Sequence, residues 1–190
     1  MELTRLLVPT FIQALKSLSA WLDKAAAHDT SRGLDPESRM SERLAPDMFP
    51  LAAQIRFACF QAQEPVHRLR GEPLPATLLE VRQEAVHSNT QTGTLAQSQA
   101  RIAETVAFLS SLDADALDST SDSPIALDLP NGIVFDMTGE QYARDWCLPQ
   151  FYFHVVTAYD ILRHHGIDLG KRDYVGHMFA YLRPGTMPKG

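Results

Sequence analysis

Only once along this chain does the apolar period switch from 3.6 residues to 2, and that single switch decides the fold class. Ile125, Leu127 and Leu129 alternate, Asn131-Gly132 turns the chain, and Ile133, Phe135 and Met137 alternate again. Asn-Gly between alternating runs is a hairpin signal, because both residues tolerate the positive φ of a tight turn. One hairpin cannot form a core sheet, so the remaining periodic segments must be helices that bury one another. Four long segments qualify. The first covers roughly residues 3–28, with Phe11, Leu15, Leu18, Leu22 and Ala25 on one stripe and Pro9 near its start. The second covers about 47–69, with Asp47 as N-cap, Pro50 in the first turn and Pro65 as an expected kink. Its apolar face is Leu51, Ile55, Ala58, Ala62 and Val66. The third begins near Thr94 and carries Leu95, Ile102, Val106 and Leu109. Thr138 can cap a helical approach from Gly139 to Leu148, after which the fourth opens at Pro149 and closes at His165, with Gly166 as its C′ residue. A shorter helix is expected over about 76–86, and a short helical turn after Asp35-Pro36. The prediction is a mainly α chain: a four-helix bundle with a small β-hairpin inserted between the third and fourth long helices. It forms one domain over 1–190, with a tail from about residue 167.

Charge narrows the partners. The formal net charge is -6, and Lys171-Arg172 is the nearest approach to a basic run. That argues against nucleic acid. No stretch approaches the ~20 apolar residues of a membrane span, and Gln13, Lys16 and Asp23 interrupt the first apolar run. The expectation is a soluble, cytoplasmic protein, and a homodimer on the general habit of such bundles. Cys59 and Cys147 have no disulfide or metal-finger spacing and read as small buried hydrophobes. Two motifs only imitate function. Gly166-Ile167-Asp168-Leu169-Gly170-Lys171-Arg172 is one residue short of a phosphate loop and follows a helix rather than a strand. Asp113, Asp115, Asp118 and Asp122 lack the central Gly and final Glu of a calcium loop.

The chemistry concentrates in the fourth helix. Gln150, His154 and Thr157 fall at i, i+4 and i+7, which stacks three polar side chains on one face of a mostly apolar helix. Such a stripe either satisfies itself by hydrogen bonding or builds a site. His154 is the candidate catalytic base and the candidate metal ligand, with Gln54, Gln150 and Thr157 as candidate binding residues. The plainer reading is a buried histidine bonded to Gln54, Gln61 or a water, because one ligand does not hold a metal. His164 and His165 suit the negative end of the helix dipole.

Leu162-Arg163-His164-His165-Gly166, read back from the end of that helix, resembles the last helix of the DinB/YfiT-like superfamily of bacterial four-helix bundles. Three further segments resemble a family of bacterial proteins of unknown function within it: residues 44–51, residues 148–154 (LPQFYFH) and residues 169–174 (LGKRDY). The resemblance implies a DinB-like bundle and a site where one histidine of the second helix and two of the fourth hold a divalent metal such as zinc or nickel. This chain departs from that pattern. Its fourth helix keeps His154 but has Gln150 at i-4, and its second helix offers Gln54 and Gln61 before any histidine. An amide oxygen does not replace imidazole for such metals, so the implied metal site is degenerate.

Two functions follow. One is a small-molecule-binding or interaction protein that keeps the bundle without the metal. The other is a metal- or thiol-dependent transferase or hydrolase acting on small thiol conjugates, with His154 as base or ligand. Gln54, Gln150 and His154 lining one open pocket would favour chemistry, whereas mutual hydrogen bonds in a closed core would disfavour it.

Overall fold

The structure, a computed structural model, describes residues 2–129 and 131–186. Its helices are α1 (Leu3–Ser31), α2 (Leu51–Leu69), α3 (Ala76–His87), α4 (Leu95–Ser110), α5 (Gly139–Gln141), α6 (Leu148–His164) and α7 (Lys171–Tyr174). Strands β1 (Pro124–Asp128) and β2 (Val134–Thr138) pair antiparallel between α4 and α5, with Leu127 opposite Phe135. Helices α1, α2, α4 and α6 form the bundle, and its interior is the expected apolar stripes: Phe11, Leu15, Leu18 and Leu22 from α1, Leu51, Ile55 and Ala58 from α2, Ile102 and Leu109 from α4. Phe11 meets Phe151 of α6 at 4.6 Å between ring centroids.

Helix α2 is buried nearly all round, because α3 lays Leu78, Val81 and Ala85 over the side that the bundle leaves open. Its start differs from the expected one. It begins at Leu51 rather than at Asp47, since Pro50 disfavours helical geometry in Phe49, and the Leu51 N–H is taken by the Glu42 carbonyl at 2.8 Å. Thr94 caps α4 in a reciprocal pair with Gln97. The hairpin buries Ile125 and Leu127, whereas Val134 and Phe135 of β2 are exposed.

The approach to the last helix holds the main departure. Pro149 does not open a helix; it lies one residue inside α6, which continues without a break from α5 through a π-helical segment (Tyr142–Cys147). A proline ring inside an α-helix collides with the carbonyl four residues earlier, here that of Asp145. The wider turn relieves that collision, and the Leu148 N–H reaches back five residues to Ala143 O. At the far end Gly166, at φ 89°, turns the chain out of α6, and Ile167 N–H closes on Leu162 O. Residues beyond it return to α1, where Trp21 Nε1 donates to Asp173 O. Among the described residues no helix is long and apolar enough to cross a membrane.

Candidate functional site

His154 sits on the side of α6 that meets α2. Its environment can be read donor by donor. Gln54, only 2% exposed, donates from Nε2 to Phe49 O at 3.1 Å. That bond turns its Oε1 toward His154 Nδ1, 2.8 Å away. An amide oxygen can only accept, so Nδ1 carries the proton and Nε2 keeps a bare lone pair. Phe57 stacks on the imidazole at 4.9 Å and 23°, and Phe153 meets it edge-on at 5.3 Å. Burial among these groups lowers the imidazole pKa to about 4. His154 is therefore a neutral acceptor at physiological pH and a poor general base, since a base poised for catalysis titrates near the working pH.

A cavity of about 390 Å³ opens beside this ring, between α2, the end of β1 and α6. Phe49, Phe57, Phe60, Trp146 and Phe153 give it aromatic walls, and Gln61, Gln150 and His154 bring polar groups to it. Behind this lining, Gln61 Oε1 and Trp146 Nε1 are enclosed without a hydrogen-bond partner. The charged residues at its margin are Glu64 and Arg68, joined at 2.8 Å, with Arg82 and Asp128. Trp146 comes from the π-helical segment, a kind of distortion that recurs at functional sites.

The expected residues are thus divided. Gln150 and His154 share the cavity, while Gln54 lies behind His154 and orients it. Thr157 turns its hydroxyl back to Phe153 O at 2.6 Å, the ordinary one-turn bond of a helical threonine. Gln61 reaches the cavity, but Trp146 and the phenylalanine walls carried no polar signal in the sequence. Among the described residues no three His, Cys, Asp or Glu side chains gather where they could hold a metal ion. Around His154 the donors are amides, and Glu64 is committed to Arg68. That donor set does not fit zinc or nickel.

A second cavity, about 690 Å³, lies on the other side of α2 between α3 and α4. Arg56, Glu84, Arg101 and Glu104 close it with ion pairs among themselves, Arg101 to Glu84 at 2.6 Å and to Glu104 at 2.9 Å. Arg56 also donates to Ala52 O at 3.0 Å. Those charged groups are already paired and no Phe, Tyr or Trp lines it, so it makes the weaker candidate despite its size.

Comparison with known proteins bears on the family. A family model for a domain of unknown function, DUF1993, matches residues 3–175. A crystal structure of a DinB family member protein from Shewanella denitrificans is similar at 32% identity and a TM-score of 0.76, over 98% of this chain and 96% of that one. No curated protein matches the chain.

Proposed function

The chain belongs to the DUF1993 family and has a DinB-like fold, and from that premise we propose that it is a small-molecule-binding protein whose ligand occupies the cavity beside His154. The observation that carries this reading is the cavity itself, walled by Phe49, Phe57, Phe60, Trp146 and Phe153, with Gln150 and His154 bringing polar groups to it. A cavity of about 390 Å³ falls in the size range of small-molecule sites. The neutral, pre-oriented His154 adds an acceptor rather than a base.

The test is a fragment screen by protein-observed NMR with His154→Phe alongside. Fragments should shift signals of Gln61, Trp146 and Phe153, and the substitution should weaken their binding. Fragments that gather instead in the cavity between α3 and α4, or nowhere, contradict the reading. Transferase or hydrolase chemistry has less support, because no cysteine lines the cavity and burial holds the His154 imidazole pKa near 4; Cys147 is fully buried and its thiol pKa is pushed far up.

A further inference from the structure

We infer that β2 is a dimerisation edge: it pairs antiparallel with β2 of a second copy of this chain about a two-fold axis at Phe135, joining two hairpins into one sheet. The phase of the hairpin ladder is the first observation. Leu129 N–H bonds to Ile133 O at 2.8 Å and Gly139 N–H to Ser123 O at 2.9 Å, which fixes both ends of the ladder as hydrogen-bonded pairs. Such pairs alternate along an antiparallel ladder, so within β2 the residues bonded to β1 are Phe135 and Met137. The backbone N–H and C=O of Val134 and Asp136 therefore point away from β1. Among the described residues no group bonds to them.

This edge is also unguarded. Sheets blunt a free edge with lysine, proline, a bulge or a covering element, and β2 (VFDMT) brings only Asp136. The outer edge of β1 differs: it begins at Pro124, which has no N–H to offer, and ends at Asp128 beside the cavity of His154. The apolar surface agrees. Ile133 and Phe135 lie on the sheet face of the buried Ile125 and Leu127, yet they stay 47% and 43% exposed. The bundle covers the inner strand and leaves the outer one half bare.

The occupant is a second copy because the edge complements itself. Centred on Phe135, the pairing sets Val134 opposite Asp136 of the second copy, and Asp136 opposite its Val134. Both open N–H groups of each copy then find carbonyls, the two Phe135 rings meet on the apolar face, and no like charges are opposed. Sliding the copies by two residues loses this in either direction. One shift opposes Asp136 to itself and Val134 to Thr138, whose N–H is already taken by Gln141 Oε1 at 2.9 Å. The other opposes Asp136 to Gly132, whose N–H is taken by Leu129 O at 2.9 Å. The self-complementary patch is that of an isologous dimer.

The test is sedimentation velocity on the full chain and its variants across a concentration series. The native chain should form a dimer, and amide hydrogen exchange at Val134 and Asp136 should slow as the dimer forms. Val134→Pro removes an N–H that the hairpin's own ladder does not use, so the fold stands while the dimer dissociation constant rises about tenfold. Ala126→Pro makes the same change on the outer edge of β1 and should leave the dimer intact. Phe135→Lys and Phe135→Glu carry the test should Val134→Pro fail to fold. Each opposes like charges across the axis and should be monomeric alone, and mixing the two should restore a dimer. A chain that stays monomeric at millimolar concentration overturns the inference and leaves the edge to a foreign strand. A dimer that Val134→Pro and the Phe135 variants leave unchanged, or that Ala126→Pro dissolves, overturns it too, because the contact then lies elsewhere.

Discussion

His154 carries a prediction that depends only on its burial. Its folded pKa lies near 4, below the ordinary histidine value of 6.5. As pH falls through 6.5 the unfolded chain takes up a proton here that the folded chain refuses until about pH 4, so stability drops across that window. Between about pH 7 and about pH 4.5 this residue should account for a loss of roughly 2 kcal/mol. Carboxylates contribute losses of their own at lower pH, so the measurement must be a difference: urea unfolding of the native chain against His154→Asn across the range. The gap between the two should shrink on acidification, and a gap that stays constant refutes the buried neutral histidine. The same residue predicts a tautomer. Gln54 Oε1 fixes the proton on Nδ1, so ¹⁵N shifts should show Nε2 as the bare nitrogen, and Gln54→Leu should release that preference. Part of this pair was legible in the sequence, since Gln54 and His154 were both expected at the bundle interior. Which nitrogen carries the proton was not, because the Phe49 carbonyl sets it through Gln54 and no periodicity encodes a carbonyl.

At the scale of elements, the segment between α1 and α2 holds what composition hides. It reads as polar and irregular, yet Asp29 is fully buried and accepts from Arg39 Nε at 2.7 Å and from Nη2 at 2.6 Å. Arg39 Nη1 continues to Glu42 at 3.0 Å and to His165 O, at the end of α6, at 2.9 Å. One guanidinium therefore ties the end of α1, the short turn at Pro36–Ser41 and the end of α6. Hydrogen bonding to Arg39 holds the Asp29 carboxyl below its ordinary range, and Asp29 raises Arg39 in return. Arg39→Met strands a buried carboxylate and should cost about 3–5 kcal/mol, with the companion change Asp29→Leu recovering part of it. Equal losses in the single and double variants would mean that packing, not the charge pair, supplies the stability. Gly139 marks a second such junction. A Cβ there would run into Thr120 O, while the Gly139 N–H bonds to Ser123 O at 2.9 Å. Gly139→Ala should therefore loosen the link between the hairpin and the last helix, seen as faster hydrogen exchange at Gly139 and Glu140. The sequence marks this residue only as the start of a helical approach, since close approach of a distant carbonyl leaves no local trace.

At the scale of the whole molecule, legibility follows the range of the force involved. The bundle could be anticipated because the helical stripes Phe11-Leu15-Leu18-Leu22 and Leu51-Ile55-Ala58 are local repeats that one face of core must satisfy. The hairpin could be anticipated because Asn-Gly is local turn chemistry, whereas the exposure of β2 depends on which helices happen to cover the sheet. The cavity could be anticipated only by its polar edge, because aromatic walls and a proline-driven π-helical turn look like ordinary core until the chain is folded. The same reasoning predicts how the assembled core excludes solvent. Cys59 lies on α2 and Cys147 at the head of α6, and neither exposes any surface. Burial raises the Cys59 thiol pKa to about 12 and the Cys147 thiol further still, so neither supplies thiolate at neutral pH. A disulfide-exchange reagent should label both at once in denaturant and neither on that time scale in the native protein. In native buffer the two should be modified together, at a rate set by opening of the bundle, because both lie in one continuous core. Labelling of Cys147 well before Cys59 would instead show that the π-helical segment opens independently of the bundle, and with it the wall of the cavity that Trp146 provides.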